Sequence, residues 1–398
     1  MKYRINPKNN DSISQLGLGC MRLPRMGALI DQKKTNELIA EAIESGVNFF
    51  DTAYIYPGSE DALGKALQAA GCREQVYIGT KLPHYMCKKH ENFDRIFNTQ
   101  LKRLQTGYID YYFIHMLGST QSWERLVSLG IEGWIDRKRA EGSIRNLGFS
   151  FHGGKDAFLD LIKTYPWDFC MVQYNYYDMS DQAGADGVKA AHSIGIPVFA
   201  MEPVRGGFLA DGLNDSAKQV FQSLNTSRSP AEWALRWLFD QQEVTMVLSG
   251  MSNVAQLAEN AAAACDATPG DLSEAEHAAY LDVVSKLRKS VFIPCTSCGY
   301  CMPCPQGVDI PAAFSSYNNS RTFGRVSGIA QYVQVTGQWA PVRTDASKCN
   351  ECGSCEKHCP QGIKVPAQLK RVRRRMWSFF VVPLMSFVRK IWGVKTVS

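Results

Sequence analysis

Two bursts of cysteine dominate the last quarter of the chain. Cys295, Cys298, Cys301 and Cys304 fall within ten residues and run into Pro305, while Cys349, Cys352, Cys355 and Cys359 run into Pro360. The later spacing, C-x2-C-x2-C-x3-C-P, is that of cubane iron–sulfur proteins, where three thiolates bind one cubane and the fourth crosses to another. The earlier burst closes with a gap of two residues instead of three. C-x2-C pairs also suit zinc, but eight cysteines in two proline-ended runs suit clusters better. The other five of the thirteen cysteines (Cys20, Cys72, Cys87, Cys170 and Cys265) are scattered. The opening residues, MKYRINPKNND, are polar and lead to no apolar signal core. The reading is a cytoplasmic protein, in which clustered cysteines argue for metal rather than disulfides.

A second chemistry lies upstream, in three ionisable residues that end apolar runs. Asp51 follows NFF, Lys81 closes VYIGTK, and His115 closes IDYYFIH. Singly, each has a plain structural account: a capping aspartate, a snorkelling lysine, a packed histidine. Their shared placement needs a scaffold. Eight apolar runs are strand candidates: QLGLGC, NFFDTA, VYIGTK, IDYYFIH, IRNLGFS, FCMVQYN, IPVFAM and VTMVLSG. Helical patterns lie between them, including TNELIAEAIESG, SEDALGKALQAA, FDRIFNTQLKRLQ, WERLVSLGIEGWIDRKRAEG and SPAEWALRWLFDQQ. Such alternation predicts an α/β fold with a parallel sheet covered by helices. Eight evenly spaced steps favour a closed (β/α)8 barrel, whose active-site face is the carboxyl end of the strands.

Composition sets the outer limits. The 398 residues suffice for a large domain plus a small one, and 45% hydrophobic with 21% charged is ordinary for a globular protein. The formal charge of +6 treats cysteines as neutral. Two cubanes, each with roughly two negative charges alongside four thiolates, would bring it to about +2. No nucleic-acid partner is expected from so weak a basic excess.

The sequence from Leu16 to Asn260 resembles the aldo/keto reductases. The resemblance runs through NFFDTAYIYPGSEDALGKAL, IGTK, DYYFIH, IRNLGFS, VQYNYYD, VFAMEPVRGG and VLSGMSNVAQLAEN, in the order and spacing of that family. It implies a catalytic quartet of Asp51, Tyr56, Lys81 and His115, with Pro57 where a glycine commonly follows the tyrosine. The chemistry of these types is coherent. Hydride reduction of a carbonyl creates an alkoxide that needs a proton and charge stabilisation. Tyr56 could donate the proton, Lys81 would lower the phenol's pKa, Asp51 would hold Lys81, and His115 would orient the carbonyl oxygen. Tyr54 reads as a packing residue.

The same resemblance implies a nicotinamide cofactor. Ser150, Gln173 and Asn175 would hold the amide, with Tyr174 packing. The loop Glu202, Pro203, Val204, Arg205, Gly206 and Gly207 would follow the pyrophosphate. Ser249, Gly250, Met251 and Ser252, with Gln256, Glu259 and Asn260, would surround the adenosine end. No basic residue stands from Ser249 to Asn260, which favours NADH, since a 2′-phosphate wants a basic partner.

The cysteine region resembles the helical-type ferredoxin module at the end of some aldo/keto reductases. That implies one [4Fe–4S] cluster on Cys295, Cys298, Cys301 and Cys359, and a second on Cys349, Cys352, Cys355 and Cys304, the last after the short gap. The 44 intervening residues suit helices that bring the bursts together. The expected organisation is a barrel over 1–290, a cluster domain over 291–370 and a basic, apolar tail over 371–398. Thirteen apolar residues, 376–388, are too few to span a bilayer. The tail could touch an anionic membrane surface or pack as a helix on the barrel or a partner.

Hydride moves two electrons and a cubane one, so an electron path between them calls for a flavin, an external redox partner or a substrate reduced one electron at a time. Three readings remain. One is a reductase of aldehydes or ketones, using NAD(P)H, whose clusters carry electrons to or from a partner. The second is a self-contained reductase with a structural or docking cluster domain. The third is an electron carrier on an inactive barrel.

Overall fold

The structure is a computed structural model, and it describes residues 1–376 apart from 28, 225, 290–291, 296–298, 323, 337–342 and 360. The readings placed on Cys298, Pro360 and nearly all of the apolar tail therefore lie outside the described residues.

Eight strands close a parallel barrel: β1 Leu16–Gly19, β2 Phe49–Asp51, β3 Tyr77–Leu82, β4 Ile109–Leu117, β5 Ile144–Phe151, β6 Phe169–Gln173, β7 Val198–Met201 and β8 Val244–Ser249. Each neighbours its sequence successor, and β8 pairs with β1 to complete the circle. All eight apolar runs become strands. They are buried on both faces, as β4 shows with only Met116 less than fully buried, which is why they read as continuous apolar segments.

Side chains alternate along a strand, and that period sets the site. Phe49, Tyr111, Phe113, Phe169, Met171 and Phe199 fill the barrel interior. Each such fully buried side chain contributes about 1.5–3 kcal/mol. Gly79 leaves room for this layer; a Cβ there would lie 3.0 Å from the Phe113 ring and 3.1 Å from Phe49. Two residues on from Phe49, Gly79, Phe113 and Met171 stand Asp51, Lys81, His115 and Gln173. The interior thus changes from aromatic to polar one layer below its mouth.

The outer helices follow the sequence reading, with two added helices, Asp215–Gln222 and Val254–Asp266, and one division. The pattern from Trp123 onward forms two helices, Thr120–Ser128 and Ile131–Ala140, because Gly130 takes φ +81° between them. The short helix Asp215–Gln222 and an N-terminal hairpin, Tyr3–Ile5 against Ser12–Ser14, were not read from sequence. The hairpin plugs the barrel floor: Ile13 joins the interior cluster, and Asn6 donates to the Tyr111 hydroxyl.

Beyond the barrel, helices Ile310–Thr322, Arg325–Val335 and Val365–Met376 surround a second core that includes Ile293, Phe314, Tyr332 and Leu369. The first two helices approach so closely that a Cβ on Gly328 would lie 2.2 Å from that of Ser320. They occupy the stretch between the cysteine bursts, as expected. The last helix runs across residue 370. Among the described residues no helix is long and apolar enough to cross a membrane. This second unit docks on the barrel mouth. Arg205 donates to Asn319 Oδ1 at 2.8 Å, and the Ser315 hydroxyl donates to Asp181 Oδ2 at 2.9 Å.

Candidate active site and cluster sites

Adjacent strands bring the quartet together. Lys81 Nζ, from β3, donates to Asp51 Oδ1 of β2 at 2.5 Å and to the Thr52 carbonyl at 2.7 Å. It lies 5.4 Å from the centre of the Tyr56 ring, which meets the His115 ring edge-on at 6.1 Å. Tyr56 rises from the loop after β2, while His115 sits where the β4–β5 register slips between Ile114 and Leu117. The next residue, Met116, takes φ +60°, a conformation that costs a side-chain-bearing residue about 1–3 kcal/mol and that clusters at functional sites.

Burial governs the charges. It works against both members of the ion pair, lowering the Lys81 pKa and raising that of Asp51, while each partner opposes the shift in the other. Burial also holds His115 well below the usual imidazole range, reinforced by Lys81 and by His152 and His84. His115 is therefore neutral, and its Nδ1 has no hydrogen-bond partner. For Tyr56 the direction differs from the sequence argument. Its pKa is raised, first by burial, then by Asp51 and Glu202. Lys81 is already neutralised by Asp51, so it does not dominate the phenol. The protein holds Tyr56 protonated.

The residues expected around a nicotinamide divide. Ser150 Oγ accepts from the Met116 amide at 2.9 Å and keeps its own proton to give. Gln173 donates to Asp178 and accepts from Gln182, with one donor and one lone pair left. Asn175 is committed: its amide donates to Asp178 and to the Glu202 carbonyl, and its oxygen accepts from the Tyr177 and Asp178 amides. With all four positions filled it shapes the turn after β6, and no hydrogen bond remains for an amide ligand. Tyr174 packs on Trp237, and Tyr54 lies beneath Arg103.

The two glycine-bearing loops are open toward one another. Glu202, Arg205, Gly206 and Gly207 all take positive φ, Gly206 is exposed and Pro203 buried. In the second loop Met251 is buried in the core, Asn260 donates to Ser249 Oγ at 3.1 Å, Gln256 folds back to accept from Ser252, and Glu259 accepts from Ser229. Between the loops lies a residue the sequence reading missed. Arg22, just past β1, is exposed, with Nη2 3.4 Å from where a Gly206 Cβ would stand and Cδ 3.8 Å from that of Gly250. Nothing local in CMRLP singles it out; only barrel closure sets β1 beside β8.

The thiols of the second unit gather in two places. Burial, then Cys304, Cys349 and Cys352, push the Cys355 thiol up, so these four are electrostatic neighbours. Cys295, Cys301 and Cys359 line one small cavity with Phe314 and Val365. Cys304 thus stands with the later burst and Cys359 with the earlier one. Among the described residues, however, no three His, Cys, Asp or Glu side chains are close enough to hold a metal ion.

The chain belongs to the aldo/keto reductase family, whose pattern matches residues 15–278, and a 4Fe-4S dicluster domain matches residues 294–363. Fold and family together define an oxidoreductase. The uncharacterized oxidoreductase YqkF of Bacillus subtilis (strain 168) is 29% identical over 295 residues, 66% of this chain and 91% of that protein. The L-galactose dehydrogenase of Arabidopsis thaliana is 27% identical over 275 residues, 63% of this chain and 84% of that one. Among solved structures, the holo form of aldo-keto reductase AKR11C1 from Bacillus halodurans superposes with a TM-score of 0.60 at 27% identity, covering 71% of this chain and 96% of that one.

Proposed function

We propose that the barrel reduces an aldehyde or ketone, or oxidises the corresponding alcohol, with NAD(P)H, and that this chemistry is complete without the cluster domain. The observation that carries the reading is the buried Asp51–Lys81 pair beneath a protonated Tyr56, beside a neutral His115 whose Nδ1 is unclaimed. A bound nicotinamide would supply or accept a hydride at the substrate carbon. The remaining work falls to the protein. Tyr56 gives its phenolic proton to the carbonyl oxygen, and Lys81 stabilises the phenolate left behind once that proton has gone. Asp51 fixes Lys81, and the neutral imidazole aligns the oxygen. Solved relatives with bound cofactor, such as the AKR11C1 holo form and a Klebsiella pneumoniae aldo-keto reductase in complex with NADPH, support the fold of the cofactor site.

Arg22 changes the expectation of NADH. Its fork supplies the basic partner missing from 249–260, so the phosphates of either dinucleotide have a cation to meet. The eight cysteines fit two cubanes in donor chemistry, Cys295, Cys298, Cys301 and Cys359 for one and Cys304, Cys349, Cys352 and Cys355 for the other, and the described ones fall into those two neighbourhoods. Bound clusters would supply one-electron redox capacity. The domain's docking contacts favour a structural or partner-facing role; a redox protein partner is the second reading, favoured by Cys304 lying on a cavity beside the barrel mouth.

The test is Tyr56→Phe. Carbonyl reduction should fall by about 10²–10⁴-fold, with cofactor binding and cluster absorbance unchanged. Retained turnover would remove the phenol from the mechanism. Reduced clusters that fail to reoxidise when carbonyl substrate is added anaerobically would support the self-contained barrel.

A further inference from the structure

The loop after β7 is held by more than the barrel. Glu202, Arg205, Gly206 and Gly207 all take positive φ there, and a side-chain-bearing residue keeps that conformation only where its surroundings over-determine it. The backbone closes the loop on itself, the Arg205 amide donating to the Glu202 carbonyl at 3.0 Å and the Gly207 amide to Val204 at 3.0 Å. Side chains add the rest. Arg205 carries its guanidinium inward over the Tyr177 ring at 4.8 Å, and its Nε donates to Asp178 Oδ2 at 2.9 Å. Asp178 is buried, and the same oxygen accepts from Gln173 at 2.8 Å and from Asn175 at 3.0 Å. One carboxylate thus ties the end of β6 to the loop after β7.

A further arm of this network comes from the cluster domain. Arg205 Nη2 donates to Asn319 Oδ1 at 2.8 Å. A guanidinium presents its donors in a rigid planar fork, so Asp178 and Asn319 between them set its orientation. Asn319 is itself buried and fixed: its amide nitrogen donates to Gln331 of the next helix, which turns the oxygen toward Arg205. Its neighbour Asn318 accepts from the Ile293 amide and donates to the Ile293 carbonyl, both at 2.9 Å. That pair pins the helix to the segment following the barrel. One turn earlier on the same helix face, Ser315 donates to Asp181, a carboxylate that also faces Arg205. The path from Asn319 through Arg205 and Asp178 to Gln173 is hydrogen-bonded at every step.

We infer that Asn319 of the cluster domain is a positioning residue for the dinucleotide: it holds Arg205, and through Arg205 the loop read as following the pyrophosphate. Cofactor affinity then depends on a domain that contributes no reacting group to the carbonyl chemistry. Without the Asn319 acceptor the guanidinium loses one of the anchors that fix its plane, and the loop loses a contact that restrains its left-handed backbone. Such a coupling is reciprocal: whatever loosens the docked helix weakens the dinucleotide, and a bound dinucleotide tightens the docking. This inference rests on the nicotinamide reading above and adds a residue to it.

The experiment uses the full chain with its clusters, purified anaerobically, and reads equilibrium affinity for NADH and NADPH by tryptophan fluorescence quenching. Asn319→Ala should weaken both by about fivefold, the lower end for coupled sites, with cluster absorbance retained. Asn319→Asp keeps the acceptor and should bind both within about twofold of wild type. Ser315→Ala removes the other docking contact and should also stay within about twofold. In an Arg205→Ala background, Asn319→Ala should add less than about twofold, whereas a general disturbance of the domain would add its effect in either background. If Asn319→Ala loses its cluster absorbance, Asn319→Leu, of similar volume, replaces it in each comparison; loss of absorbance there too would assign Asn319 to the domain's own core and overturn the inference. Unchanged affinity, an equal loss in Ser315→Ala, no recovery in Asn319→Asp, or full additivity with Arg205→Ala would overturn it as well. A wild-type protein that binds neither dinucleotide fails the nicotinamide reading instead, so the two failures are distinguishable.

Discussion

The barrel mouth and the cluster domain both gather polar, reactive side chains from distant points in the chain, yet they hold them differently. At the mouth, Asp51, Lys81 and His115 end neighbouring strands whose register is fixed by parallel pairing, Asp51 opposite Gly79 and Lys81 opposite Phe113. Lys81 and Asp51 meet there at hydrogen-bond distance with no ligand required, and His115 stands beside them. In the cluster domain the described cysteines sit on irregular segments and one short helix, Ser354–Lys357. A ladder of backbone hydrogen bonds preorganises the first site. The second matches a 4Fe-4S dicluster domain, and a cluster held there would draw its ligands together, so that binding energy would become folding energy. One chain therefore contains a site set by strand register and a second region whose reactive side chains stand on irregular segments.

Iron removal should break that comparison open. Chelation under reducing conditions is expected to abolish visible absorbance and to expose the region beyond about residue 290 to protease, while the barrel keeps its own cooperative thermal transition. Simultaneous loss of both units would mean that the docking contacts of Arg205 and Ser315 couple them more tightly than their separate cores suggest.

A smaller effect tests the preorganised half. Arg22→Ala should weaken NADH and NADPH alike by about tenfold, or about 1.4 kcal/mol, read as equilibrium affinity. The tip of Arg22 lies at the loop read as following the pyrophosphate, which both dinucleotides share. Loss confined to NADPH would move its target to the 2′-phosphate.

The smallest effect is on stability against pH. His84 and His152 are depressed by burial from about 6.5 to about 3 and 4. As pH falls below about 6.5 the unfolded chain takes up protons that the folded chain refuses, so stability is lost with acidification. The barrel's thermal midpoint should therefore fall between pH 7 and pH 5, and His84→Gln with His152→Gln should flatten the slope. An unchanged slope would show that carboxylates set the acid limit.

Much of this was legible in the residues. Eight apolar runs became eight strands, and the strand-end positions of Asp51, Lys81 and His115 were visible because a period of two carries inward-facing residues past an aromatic layer. Helix limits were less so: Gly130 divided a continuous amphipathic pattern by adopting a left-handed conformation that no periodicity reports. Asn175 looked like a ligand contact, but the turn after β6 absorbed all of its hydrogen bonds.

The sequence by itself determined the barrel class, the cubane spacing and the kinds of side chain at the reaction centre, since each is written in local pattern or short-range spacing. Tertiary structure alone decided which way Tyr56 is shifted, that Arg22 reaches two loops nearly two hundred residues and more away, and that the cluster domain docks on the barrel mouth. Those facts depend on desolvation and on through-space neighbours, and neither is a property of residues taken in order along the chain.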